Sequence, residues 1–268
     1  SISRVLAAAG IPDTEITVDR DAVRVVRGAL PGAADWTHPY GDASRPAGSL
    51  DEHVRLPLKM LWFGKPGPAR IVSRHWRMPV PLYADGRMFV SGEHHLMALD
   101  AYNGREQWCR EIPGIGRFPG KYRGGGIVTD GDSLYGAVGM TCLRLENATG
   151  KTRQTYEVPD EFRGEAAPSN PIRHALDTNV RRARPVPNER GWEFLAVTDR
   201  LVLGSVGQPN FAWTGWPEAH PECNRLFALD KETGKLRWRY TAETSVLPNA
   251  VCVTDDRDRE VCLEKPAE

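Results

Sequence analysis

Short runs of alternating apolar and polar residues recur from Pro79 onward, each bounded by Gly, Asp or Asn. A period of two puts every second side chain on one face of a strand, and turn-forming residues between runs mark the strand ends. Four such runs follow one another from about Pro79 to Glu111: PVPLYAD, RMFVSG, HLMALD and EQWCRE. Four more are GGGIVTD, SLYGAVG, TCLRLE and KTRQTYEV, and another four are EFLAVTD, RLVLGSV, NRLFALD and KLRWRYT. NAVCVTD and REVCLEK begin a further set. The pattern predicts an all-β array of four-stranded antiparallel units. Residues 1–34 differ: SRVLAAAGI reads as a short helix closed by Gly10, EITVDRDAVRVVRG reads as a hairpin turning at Asp19–Asp21, and LPGA ends this leader.

Three segments align as copies: HLMALDAYNGREQW at 95–108, CLRLENATGKTRQT at 142–155 and RLFALDKETGKLRW at 225–238. In each, an apolar run meets Asp or Glu, and after two residues Asn-Gly or Thr-Gly starts the next run. The glycine can take φ > 0 and the acidic side chain can accept turn N–H groups, so each copy reads as a tight hairpin. Trp62 to Trp108 is 46 residues, Trp108 to Gln154 is again 46, and Gln154 to Trp238 is 84. A 46-residue period suits the ~40–50 residues of a propeller blade. The long gap is read as one blade carrying proline-rich insertions near 157–191 and 208–224, so that 35–268 holds about three and a half blades. Trp62, Trp108 and Trp238 are read as structural, each indole covering a face that its neighbouring blade cannot bury alone. LKMLWFG, around Trp62, is read as a strand awaiting partners.

Composition narrows the function classes. The chain has 35 Lys and Arg against 35 Asp and Glu, so no global field favours nucleic acid or an anionic membrane. No stretch is apolar enough for a membrane span, and residues 1–10 do not read as a secretory signal. The five cysteines (Cys109, Cys142, Cys223, Cys252 and Cys262) include no C-x-x-C and no adjacent pair, which disfavours a metal knuckle, a redox dithiol and a full disulfide framework.

The pattern A-x-D-x-x-[TN]-G-x-x-x-W is met by Ala98, Asp100, Gly104 and Trp108, and again by Ala228, Asp230, Gly234 and Trp238. It resembles the tryptophan-docking repeat of pyrroloquinoline-quinone (PQQ)-like β-propellers, quinoprotein-like in fold. Arg144, Glu146, Thr149, Gly150 and Gln154 form a degenerate copy without the Ala and Trp. The resemblance covers about 35–268. DWTHPYGDASRP, PLKMLWFGKPGP and LMALDAYNGREQW resemble a bacterial subgroup whose propeller adjoins a methyltransferase-like segment, and 1–34 is similar to the last helix and hairpin of such a domain. No methyl-donor glycine loop is present, so methyl transfer is not assigned. At 46 residues per blade, a ring of six to eight would need about 276–368 residues, so the chain reads as a fragment.

In quinoprotein dehydrogenases of this fold, the resemblance implies a quinone over the central channel, between an indole and an adjacent-cysteine disulfide, with Ca²⁺ and an Asp base. No Cys-Cys pair occurs here, and Asp255-Asp256-Arg257-Asp258 reads as a turn. No cofactor is expected in this fragment, while PQQ with calcium belongs to a longer protein if it is bound at all. No metal site and no catalytic residue is assigned. His94-His95 reads as two imidazoles on opposite faces of a strand start, poorly placed to share an ion.

The residues expected at one channel mouth are Arg74 and His75 before the first blade, Lys121 and Arg123 before the second, and Asn249 before the fourth. They sit in loops leading to inner strands, where binding residues concentrate. The reading is a noncatalytic binding or scaffold module for a protein, peptide or small-molecule ligand. The alternatives are part of a PQQ-dependent alcohol or sugar dehydrogenase and an accessory region of a methyltransferase fusion. The resemblance suggests the periplasm or cell envelope.

Overall fold

The computed structural model describes residues 2–8, 16–20, 22–25, 31–64, 70, 80–92, 94–113, 115, 126–163, 191–207, 223–246, 251–253 and 261–263. They fall into two units, Ser1–Ala34 with Leu50–Leu58, and Asp35–Ser49 with Lys59–Glu268.

The first unit holds helix α1 (Ile2–Ala8) and an antiparallel hairpin of β1 (Ile16–Val18) and β2 (Val23–Val25). Its two chain segments meet at Asp51. The carboxylate accepts the N–H groups of Val54, Ala34 and His53, which holds its pKa below the usual range.

The second unit is a partial β-propeller of four-stranded antiparallel blades. Blade one is β3 (Leu82–Ala84), β4 (Arg87–Ser91), β5 (His95–Asp100) and β6 (Glu106–Glu111). Blade two is β7 (Ile127–Thr129), β8 (Ser133–Val138), β9 (Thr141–Glu146) and β10 (Thr152–Glu157). Blade three is β11 (Gly191–Val197), β12 (Leu201–Gly207), β13 (Cys223–Asp230) and β14 (Leu236–Val246). A hairpin of β15 (Val251–Val253) and β16 (Val261–Leu263) follows. Within every sheet the strands lie in chain order, as the alternation predicts. The 84-residue interval from Gln154 to Trp238 yields one blade among the described residues.

Blades are held together by apolar faces that no single sheet can cover. Leu82, Phe89 and Leu96 of blade one meet Ile127, Leu134 and Leu145 of blade two. Val128, Tyr135 and Tyr156 of blade two meet Trp192, Leu195 and Phe227 of blade three. Phe194, Leu203 and Leu226 of blade three meet Val251 and Val253. Val90, Met97 and Leu99 form a separate cluster on blade one, with Trp62 packed against it.

Two expectations change. Residues 58–64 of the LKMLWFG run carry no strand; the run reaches blade one through Trp62 alone among its aromatic side chains, since Phe63 is 92% exposed. His94 precedes β5 with φ +57° while His95 opens the strand, so the two are not consecutive strand residues.

Candidate functional site

The repeat motif organises each blade's outer corner. Gly104, Gly150 and Gly234 take φ +72°, +69° and +69°, the left-handed geometry that glycine adopts without steric cost. Asp100 Oδ1 accepts the N–H groups of Tyr102 and Asn103, and Asp230 Oδ1 accepts those of Glu232 and Thr233. In the second copy Glu146 instead accepts the Thr149 hydroxyl and Arg153. Ala98 stands opposite Trp108 in the ladder and Ala228 opposite Trp238, each beside a register shift; the degenerate copy opposes Arg144 to Gln154 beside a similar one.

The indoles then dock on the next turn along. Trp62 Nε1 donates to Ala101 O at 2.9 Å, and Trp108 Nε1 donates to Asn147 O at 2.8 Å. Both carbonyls belong to the residue after the motif's acid. Gly104 and Gly150 lie so close under these rings that a Cβ at Gly150 would stand 2.8 Å from Trp108. At the third corner the residue that takes over is Tyr156, two positions beyond Gln154: its hydroxyl donates to Lys231 O at 2.6 Å, the same carbonyl position, and Gln154 Nε2 adds a bond to Glu232 O. Burial pushes the Tyr156 hydroxyl pKa up to about 12, so it stays a donor.

A second assembly lies along the inner strands, built by a segment to which the sequence reading gave no site. Trp36 and Tyr83 of β3 exchange backbone hydrogen bonds. Thr37 O accepts Thr129 N–H of β7, His38 Nε2 accepts Val197 N–H of β11 at 3.1 Å, and Ala43 O accepts Val253 N–H of β15. Residues 36–43 therefore bond in turn to the inner strand of all four sheets. The signal that could have revealed this is the repeated ending of those strands, YAD at 83–85 and VTD at 128–130, 197–199 and 253–255.

His38 is 4% exposed, and its Nδ1 is 2.9 Å from Thr37 Oγ1. Because Nε2 accepts a backbone N–H, the ring is neutral with its proton on Nδ1. Desolvation, reinforced by the Arg45 charge, lowers its pKa to about 4, against the opposing pull of Asp42 and Asp130. The Arg45 guanidinium lies 5.1 Å from the Phe194 ring centroid and 5.8 Å from that of Tyr40. Tyr40, Arg45 and Ala47 all have positive φ, at +73°, +57° and +55°. Such strain persists only where surroundings over-determine it. Here Ala47 N–H bonds to Tyr40 O, and Asp42 Oδ1 accepts both the N–H and hydroxyl of Ser44.

Between blades two and three, Lys231 Nζ lies 2.7 Å from Asp130 Oδ2, with each side chain 11% exposed. Tyr135 donates its hydroxyl to the same carboxylate oxygen, and Ser133 N–H to the other. Burial alone would raise the Asp130 pKa; Lys231, Ser133 and Tyr135 outweigh it and hold the carboxyl below its ordinary value. At the rim, Arg144 bonds to Glu232 at 2.9 Å, again joining blades two and three. Ionic and polar groups thus act as inter-blade ties.

Arg74, His75, Lys121, Arg123 and Asn249 lie outside the described residues. Among the described residues no group of three or more His, Cys, Asp or Glu is placed to hold a metal ion. No helix among them is long and apolar enough to cross a membrane.

No protein-family model matches the chain, and no curated protein matches it. Among solved structures it is similar to the quinohemoprotein alcohol dehydrogenase of Comamonas testosteroni, at 17% identity and a TM-score of 0.43 over 77% of this chain and 27% of that one. It is similar to the quinohemoprotein alcohol dehydrogenase ADHIIG of Pseudomonas putida HK5, at 18% identity and a TM-score of 0.37 over 60% of this chain and 20% of that one. BamB of Moraxella catarrhalis gives 13% identity and a TM-score of 0.32 over 62% of this chain and 51% of that one. The chain spans less than a third of the length of the two dehydrogenases.

Proposed function

We propose that the chain is a noncatalytic PQQ-like propeller module that binds a protein or peptide. One observation carries this reading: Met60, Leu61 and Phe63 are 79%, 68% and 92% exposed on a segment anchored by the docked Trp62. Contiguous exposed apolar side chains on an anchored segment are the chemistry of a partner surface. The described polar groups near the inner strands serve the fold: His38 bonds β11, and Asp130 and Lys231 pair across two blades. Arg74, His75, Lys121, Arg123 and Asn249 are included in the proposal as further polar contacts, which a small-molecule ligand would also use.

Nothing among the described residues argues for a quinone and calcium pair. The chain has no adjacent cysteines, and the two carboxylates that face His38, Asp42 and Asp130, are committed to Ser44 and to Lys231 with Tyr135. The quinoprotein alternative therefore rests on resemblance alone, as does the methyltransferase accessory alternative.

Selection of displayed random peptides on the immobilised protein tests the reading. Met60→Asp with Phe63→Asp, and separately Lys121→Glu with Arg123→Glu, are then titrated with the selected peptides. Loss of about tenfold or more in affinity from either pair is expected for a built surface. If no peptide is selected, or neither pair weakens any of them, the binding-module reading fails.

A further inference from the structure

The β15–β16 ladder pairs Val251 with Leu263, Cys252 with Cys262 and Val253 with Val261. Two of the five cysteines thus occupy directly opposed positions of an antiparallel pair, although ten positions apart in sequence, a spacing with no motif to announce it. Opposed Cα atoms in such a ladder lie about 4.5–5.5 Å apart, inside the ~4.4–6.8 Å that a disulfide spans. Among the other ladders, Cys109 opposes Met97, Cys142 opposes Tyr156 and Ala137, and Cys223 opposes Val246. The 252/262 position is the one cysteine pair in register among the described residues.

Cys252 is placed where its oxidation would not disturb the core. Val251 and Val253 are 1% and 8% exposed and pack against blade three. Position 252 lies between them, so the period of two turns it to the other face, and Cys252 is half-buried. Cys142, by contrast, is fully buried, and burial raises its thiol pKa.

We propose that Cys252 and Cys262 form a reversible cross-strand disulfide that fastens the β15–β16 hairpin. The oxidant is a small or protein disulfide, R–S–S–R. One cysteine thiolate attacks a donor sulfur and expels RS⁻, giving a mixed disulfide. The second thiolate attacks the protein sulfur of that bond and expels the other RS⁻. Two protein thiols lose two electrons and two protons in total, and two RSH form. The reduced hairpin pairs three residues per strand; the oxidised one is closed covalently across its middle pair. Because β15 also bonds residue 43 through Val253 N–H, fastening the hairpin secures one end of the segment that links the inner strands.

The protein is equilibrated in oxidised and reduced glutathione, alkylated, and digested with trypsin, which cuts at Arg257 and Arg259 between the two cysteines. The expected product under oxidising buffer is a disulfide-linked pair of peptides carrying Cys252 and Cys262, with Cys109, Cys142 and Cys223 alkylated. Dithiothreitol should release it. The melting temperature should rise by about 4 °C or more on oxidation. That redox dependence should vanish in Cys252→Ser and in Cys262→Ser but persist in Cys109→Ser. Recovery of Cys252 and Cys262 only as separate alkylated or glutathione-capped peptides, or linked to other cysteines, would overturn the proposal even if a serine variant failed to fold.

Discussion

Gly150 and Gly234 have the same backbone geometry, φ +69°, but different surroundings. Trp108 lies against the first, whereas the nearest side-chain atoms to a Cβ at the second, from Gln154 and Tyr156, are 3.7 Å away. Gly234→Ala should cost only the left-handed strain, about 1–2 kcal/mol. Gly150→Ala adds a clash with a docked indole and should cost about 3 kcal/mol or more by chemical denaturation. Tyr156→Phe removes the donor from a buried carbonyl and should cost about 1–2 kcal/mol, leaving blade order intact. For His38, the fold keeps the ring neutral down to about pH 4 while the unfolded chain protonates it near 6.5. The unfolded state binds more protons in that window, so stability should fall as pH drops from 6.5 to 4, by up to about 3 kcal/mol, with no contribution above 6.5. His38→Gln should flatten that limb in denaturation curves at stepped pH; an unchanged limb would show that another group carries it. The acid and glycine of each corner were legible because turn chemistry is local. Tyr156 and His38 were not: one fills a role two positions from the aligned residue, and the other bonds a strand 159 positions away.

Strand alternation made all three complete blades and the β15–β16 hairpin readable, because each half-buried strand writes its period into the sequence. The LKMLWFG run shows the limit of that signal. Its apolar residues mimic a strand, yet 58–64 carry none, and the indole of Trp62 does the docking. The tie between blades two and three also escapes local pattern, since Asp130 ends the GGGIVTD run and Lys231 is a variable position of the repeat. Lys231→Met leaves a buried carboxylate without its cation and should destabilise by about 3–5 kcal/mol, while Asp130→Asn with Lys231→Met should recover most of that loss. Thermal unfolding of the two variants checks this. Equal losses would mean that Asp130 is held mainly by Tyr135 and Ser133.

At the scale of the molecule, three complete blades and a hairpin are stitched along their inner strands by residues 36–43 and at their outer corners by Trp62, Trp108 and Tyr156. The spacing of the repeat pointed to the turns at these corners but not to Tyr156. The inner stitching is carried by backbone groups and one imidazole, so its one trace in the sequence is the shared YAD and VTD endings of the strands it bonds. The candidate mouth residues were chosen by the logic of loops on a scaffold and fall outside the described residues, so their part is decided by binding and not by geometry. As proposed above, the scaffold binds a protein or peptide and is noncatalytic. Equilibrium dialysis of the protein with PQQ and Ca²⁺, followed by dye reduction over a panel of alcohols and sugars, tests that most directly. No retained quinone and no reduction above the blank are expected of a noncatalytic module; one quinone per chain with substrate-dependent reduction would contradict that reading.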